Sequence, residues 1–255
     1  MSWRRRRQFS LIMTVVLFFA LVGGVFYYFK KPNPSCFDNK KNQTELGVDC
    51  GGTCAKVCQT ETVALAVLWT RVFEITPGNY SALAYVENAN RQFGLPNFTY
   101  EFILTDAEGG EITRATGQTF ANPKERFMVF SANISAPAGK VARAFVEFPA
   151  SLVWQRLTKS ELKLEVKRKD WQMAPTPNLT AEVLNGEVRD LRQIPVYVVL
   201  SDKNGNAISA SATFIDEIKG LTATNIYFTW PLPLVENPTF FDFYAHPNLF
   251  ELSDL

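Results

Sequence analysis

Arg4, Arg5, Arg6 and Arg7 stand directly before about twenty-one almost uninterrupted apolar residues, Phe9 to Phe29. As a helix, an apolar run of ~20 residues spans the ~30 Å hydrocarbon core of a bilayer, and an arginine cluster stays on the cytoplasmic side. The pairing predicts a cytoplasmic Arg run and transmembrane anchor over residues 1–31, with the chain beyond Phe29 outside the cytoplasm. The exit, Gly24-Val-Phe-Tyr-Tyr-Phe29, is bulky, whereas a cleaved signal peptide ends in a small-x-small site. Tyr27 and Tyr28 read instead as an interfacial aromatic belt, with Trp3 in that part at the other face. Lys30 and Lys31 flank the far end, so charge asymmetry does not fix the orientation alone.

The cysteines give a second, independent argument. All four lie in one short segment, Cys36, Cys50, Cys54 and Cys58, and the expected Cys-rich region is 32–59. An even count clustered beyond an anchor reads as two disulfides in an oxidising compartment. The segment is too small and polar to build a core, so crosslinks supply what packing cannot, on the order of 2–4 kcal/mol each. Three connectivities are open. A four-thiolate zinc site is the competing use, but zinc knuckles carry paired C-x₂-C spacings, and the gaps here are longer. A second competitor is calcium held by Asp38, Asn42, Glu45 and Asp49, oxygen ligands in a constrained loop. The plainer reading is that these four cap turns.

Asp38, Asn42, Glu45, Val48, Asp49, Cys50, Gly51, Gly52, Cys54 and Cys58 stand in an order that resembles a short cysteine motif of exported bacterial proteins, C…VDCGGxC…C. Asn39 stands where that motif has Gly. The resemblance implies an exported disulfide knot beside a membrane or domain boundary, with no catalysis.

Beyond Cys58 the texture changes to short alternating strands separated by turn signals, which predicts antiparallel sandwiches. The order of those strands recurs. Asn178-Leu-Thr-Ala-Glu-Val183 echoes Asn79-Tyr-Ser-Ala-Leu-Ala84, and Pro195 to Asp202 echoes Thr99 to Asp106. Phe240 to Pro247 echoes Val141 to Pro149. An offset of ~98 residues is the length of one Ig-sized sandwich, so the pattern signals duplication. The expected domains are 60–150 and 158–255, making the fold class mainly β: a transmembrane helix, a disulfide segment and two tandem Ig-like antiparallel sandwiches. Phe102-Ile-Leu-Thr-Asp106 before Gly109, and Val199-Leu-Ser-Asp202 before Gly205, resemble the strand end of FxLYD-type and related water-stress-type β-sandwiches. That resemblance implies an Ig-like scaffold whose members mostly bind, space or stabilise.

Chemistry is sparse. His246, the single histidine, sits beside Pro247 and reads as a surface residue at a strand end. No nucleophile elbow or phosphate loop occurs, and Asp106 with Glu108, or Asp216 with Glu217, read as turn and surface groups. An enzyme is therefore not expected. The formal net charge of +1 argues against nucleic acid, and no small-molecule ligand is expected. Asn-x-Ser/Thr triplets at Asn42, Asn79, Asn97, Asn133 and Asn178 read as products of a turn-rich composition. Trp154 and Trp171 read as core, and Phe241, Phe243 and Ala245 as the inward face of a closing strand. The expectation is a single-pass envelope protein with a structural or protein-interaction role, its partners the membrane and other envelope proteins. The alternative is a ligand- or calcium-binding ectodomain.

Overall fold

The computed structural model describes residues 3–30, 36–42, 44–54, 56–157 and 162–252. The chain divides into two compact units, Met1–Cys54 and Ala55–Leu255. That boundary falls inside the expected Cys-rich region and leaves both sandwiches in one unit.

The first unit holds helix α1, Trp3–Lys30, and a turn-rich loop. No helix among the described residues is long and apolar enough to cross a membrane. The continuous stretch of α1 with described side chains runs from Ile12 to Phe26. Arg4, Arg5, Arg6, Arg7, Tyr27 and Tyr28 belong to α1, but their side chains lie outside the described residues.

The second unit is built from strands. The first copy comprises β1 Ala66–Thr76, β2 Asn79–Asn88, β3 Phe93–Thr105, β4 Glu111–Ala121, β5 Glu125–Ser135 and β6 Arg143–Glu147. A two-residue strand, β7 Gln155–Arg156, follows, and then the second copy. That copy comprises β8 Leu164–Gln172, β9 Asn178–Asn185, β10 Leu191–Ser201, β11 Ala207–Ile218, β12 Ala223–Thr229 and β13 Phe240–Ala245. The sheets of the first copy run β1-β2-β5 and β4-β3-β6; those of the second run β8-β9-β12 and β11-β10-β13. Every pairing is antiparallel. Position for position, the two orders are the same.

Each copy closes around its own core. Tyr80, Ala82, Val86, Leu95, Phe102, Leu104 and Phe127 fill the first. Leu179, Val183, Ile194, Val196, Leu200, Ile226 and Phe228 fill the second. The hairpins β3–β4 and β10–β11 turn alike. Asp106 and Asp202 each accept a backbone N–H into the side chain, from Gly110 and from Asn206. Gly109 and Gly205 sit at φ +90° and +81°, where a Cβ is strained.

The segment joining the copies is not a free linker. Gln155 and Arg156 pair with β3, and Trp154 and Leu157 are buried at 6% and 7% exposure. Trp154 belongs to the first core, and Trp171 packs against the second with its ring edge on Trp230.

A third cluster lies between the copies. Leu83 and Met128 of the first meet Val199 and Ala210 of the second, ringed by Trp69, Phe73, Tyr85, Phe130, Tyr197 and Tyr244. The outer face of sheet β1-β2-β5 is thus stacked on the outer face of sheet β11-β10-β13. β2 explains how: Ser81, Leu83 and Tyr85 point one way and Tyr80, Ala82, Ala84 and Val86 the other, and almost the whole strand is buried.

Candidate functional site

Two places collect polar and aromatic groups in an ordered way: the disulfide loop and the seam between the sandwiches.

In the loop, Cys36 is bonded to Cys54 with Cα atoms 5.6 Å apart. Cys50 and Cys58 are also oxidised. The carboxylates expected as calcium ligands are engaged by the loop itself. Asp49 accepts the backbone N–H of Asp38 and of Asn39, at 2.9 Å each. Asp38 accepts the N–H of Lys40 and the Asn42 side-chain amide. Glu45, 6% exposed, accepts the N–H of Asn42. All four sit in one network, and the network ties the start of the loop to its end. Glu45 also lies within 4.8 Å of the Cys36 and Cys54 sulfurs, but those two sulfurs are joined to each other and offer no thiolate.

At the seam the chain departs from expectation. His246 is 2% exposed, not a surface residue. The reason is the path of Pro247–Leu252, which leaves β13 and runs along the first sandwich. Asn122 donates its amide to the Pro247 carbonyl at 3.0 Å and accepts the Leu249 N–H at 3.1 Å. Asn248 reaches the Pro96 carbonyl at 3.4 Å. His246 is thereby drawn under β4 and β5. Its ring stacks on Phe120 at 4.0 Å and on Phe127 at 5.2 Å. Its Nε2 lies 3.2 Å from Glu125, whose carboxylate also accepts the Asn122 N–H. Nδ1 is buried and meets no hydrogen-bond partner among the described residues. A histidine held between two phenylalanines and a carboxylate wedges the seam; among the described residues no hydroxyl or thiol is placed on it.

The seam also perturbs tyrosines. Burial pushes Tyr197 well above its ordinary 10.0. Burial, then the charges of Tyr85 and Asp242, push Tyr244 up to about 12. Tyr85 bridges Trp69 of its own sandwich and Tyr244 of the other, at 5.6 and 5.5 Å.

No protein-family model matches this chain. No curated protein matches it. Among solved structures it is similar to red sea bream transglutaminase, at 12% identity over 71% of this chain and 29% of that one, with a TM-score of 0.21. A likeness of that size carries no argument, and this chain spans under a third of that protein's length.

Open grooves of about 550 and 330 Å³ flank the Pro247–Leu252 segment, one lined by Arg189, Arg192 and Asn248, the other by Asn122, Lys124 and Leu162. Arg192 is already paired with Glu217, and Lys219 with Asp190 and Glu217. Asp216 and Glu217, expected as turn and surface groups, are exposed but lie within β11. Sequence reasoning missed the seam. Its signal was present in Leu83, Tyr85, Tyr197 and Val199, large apolar side chains on faces that should have been polar had each sandwich stood alone.

Proposed function

We propose that this chain is a membrane-anchored extracytoplasmic protein, fixed by α1, that acts as a structural or protein-interaction module of a cell-envelope assembly. The observation that carries the reading is the oxidised state of all four cysteines in the loop that follows α1. Such bonds persist outside the reducing cytoplasm. The apolar sequence Phe9–Phe29 within the 28-residue helix supports the anchor. So does the exposure of Phe18, Phe19 and Leu21, each above 60%, because side chains of that kind need an apolar surround.

The sandwiches supply the display. Stacked through their seam, they present edge strands that include β4 and β11, of eleven and twelve residues. Edge strands and loops are where sandwiches bind partners. FxLYD-like, Ig-like membership belongs to this proposal as well.

Thiol labelling tests it. In intact cells the four cysteines should resist a maleimide until a reductant is added, and then label without lysis. Free thiols that label only after lysis would place the chain inside and end the proposal. Crosslinking in membranes should recover a stable envelope partner; capture of none would remove the interaction role.

A further inference from the structure

The disulfide loop carries its apolar side chains outward. Phe37 is 88% exposed, Leu46 57% and Val48 53%, while the buried residues among those described from Cys36 to Cys54 are Glu45, Gly51 and Cys54. These three cannot fold inward. The Cys36–Cys54 bond and the hydrogen bonds of Asp49 to the N–H groups of Asp38 and Asn39 fix the backbone on either side of Phe37. The N–H groups of Leu46 and Gly47 both donate to the Cys50 carbonyl, which fixes the turn that carries Leu46 and Val48. Lys40 and Lys41, both exposed, stand on the same loop. The acids beside them, Asp38, Asp49 and Glu45, are turned to the loop's own N–H groups.

We propose that this loop rests on the bilayer, with Phe37, Leu46 and Val48 seated in the interfacial layer and Lys40 and Lys41 at lipid phosphates. The proposal rests on the anchor reading above. Chain length selects the lipid surface as occupant. Phe37 follows Lys30, the last residue of α1, so closely that even fully extended chain puts it within about 24 Å of the helix end. The interfacial layer itself is several ångströms deep. Aromatic and aliphatic side chains beside lysines, on a surface that cannot rearrange, are what an interfacial contact requires. Anionic headgroups add attraction for the two lysines.

The test uses the full oxidised chain reconstituted in vesicles of phosphatidylcholine with phosphatidylglycerol. A photoreactive benzoylphenylalanine replaces Phe18 in one variant and Phe37 in another. Lipid adducts are expected at both positions. Lys40→Gln with Lys41→Gln should lower the adduct at position 37 several-fold in these vesicles and leave it unchanged in pure phosphatidylcholine. Adduct at 18 without adduct at 37 overturns the loop proposal while the anchor stands. No adduct at 18 overturns both. Equal labelling at position 37 in both vesicle types before substitution overturns the contact of the lysines with anionic headgroups alone.

Discussion

Asn88 and Asn185 occupy the same place in the two sandwiches, each with no exposed surface at the end of the second strand of its copy. Asn88 donates its amide to the carbonyls of Phe93 and Asn122. Asn185 donates to those of Arg189 and Lys219. Each also accepts a backbone N–H two residues on, from Asn90 and from Glu187. One side chain thus ties the turn before the third strand to the end of the fourth, twice.

Removing either asparagine leaves buried carbonyls without donors. Asn88→Ala or Asn185→Ala should each lower unfolding stability by about 2 kcal/mol, the penalty for orphaned buried polar groups. Urea unfolding of the two variants measures it. A loss under half that at both positions would show that water or rearrangement replaces the amide.

The third apolar cluster makes the sandwiches one cooperative unit. Leu83→Ala, at a site with no exposed surface, should cost about 3 kcal/mol through lost burial and the cavity left. Val199→Asp, which buries an unpaired charge in the seam, should split one calorimetric transition into two. A wild-type chain that already melts in two steps would refute the coupling.

Asn122 holds the segment after β13. Asn122→Ala removes a donor to Pro247 and an acceptor for Leu249. Residues 247–252 should then be cleaved by proteases markedly faster, with about 1 kcal/mol lost for each hydrogen bond. Unchanged cleavage would mean that Leu249 and the His246 stack suffice.

Alkali should open the seam. Tyr197 and Tyr244 hold their protons more tightly when folded than at their ordinary 10.0. Below pH 10 both states keep the proton and the contribution to stability is full. As pH rises from 10 through about 12, the unfolded chain ionises first and stability falls. Denaturant midpoints against pH should drop in that window, and Tyr197→Phe with Tyr244→Phe should flatten the drop. An equal drop in the double variant would assign it to other groups.

Asp49 acts on the loop backbone. Asp49→Ala should speed reduction of the Cys36–Cys54 bond by mild thiol, and added calcium should leave the rate of the unsubstituted chain unchanged. Slower reduction with calcium in the unsubstituted chain, lost in Asp49→Ala, would favour the metal reading over the capping one.

Much of the strand plan was legible because turns punctuate it. Asp106 with Gly109 and Asp202 with Gly205 mark both hairpins, and Phe241, Phe243 and Ala245 do pack against the second core. What was hidden is what faces what. A lone sandwich leaves one face of each strand wet, yet in β2 and β10 both faces are covered over much of the strand. His246 was misread for the same reason: Pro247 ends the strand, but nothing local says that the next residues return to the other copy. Disulfide pairing was open to three choices because cysteine spacing does not encode Cα geometry.

The return of Pro247–Leu252 to the first sandwich has a mechanical consequence. Tension applied to the chain beyond Leu252 would reach Asn122 and Phe120 before it could peel β13 from its sheet. The duplicated halves would then bear load as a single block, not as beads on a string.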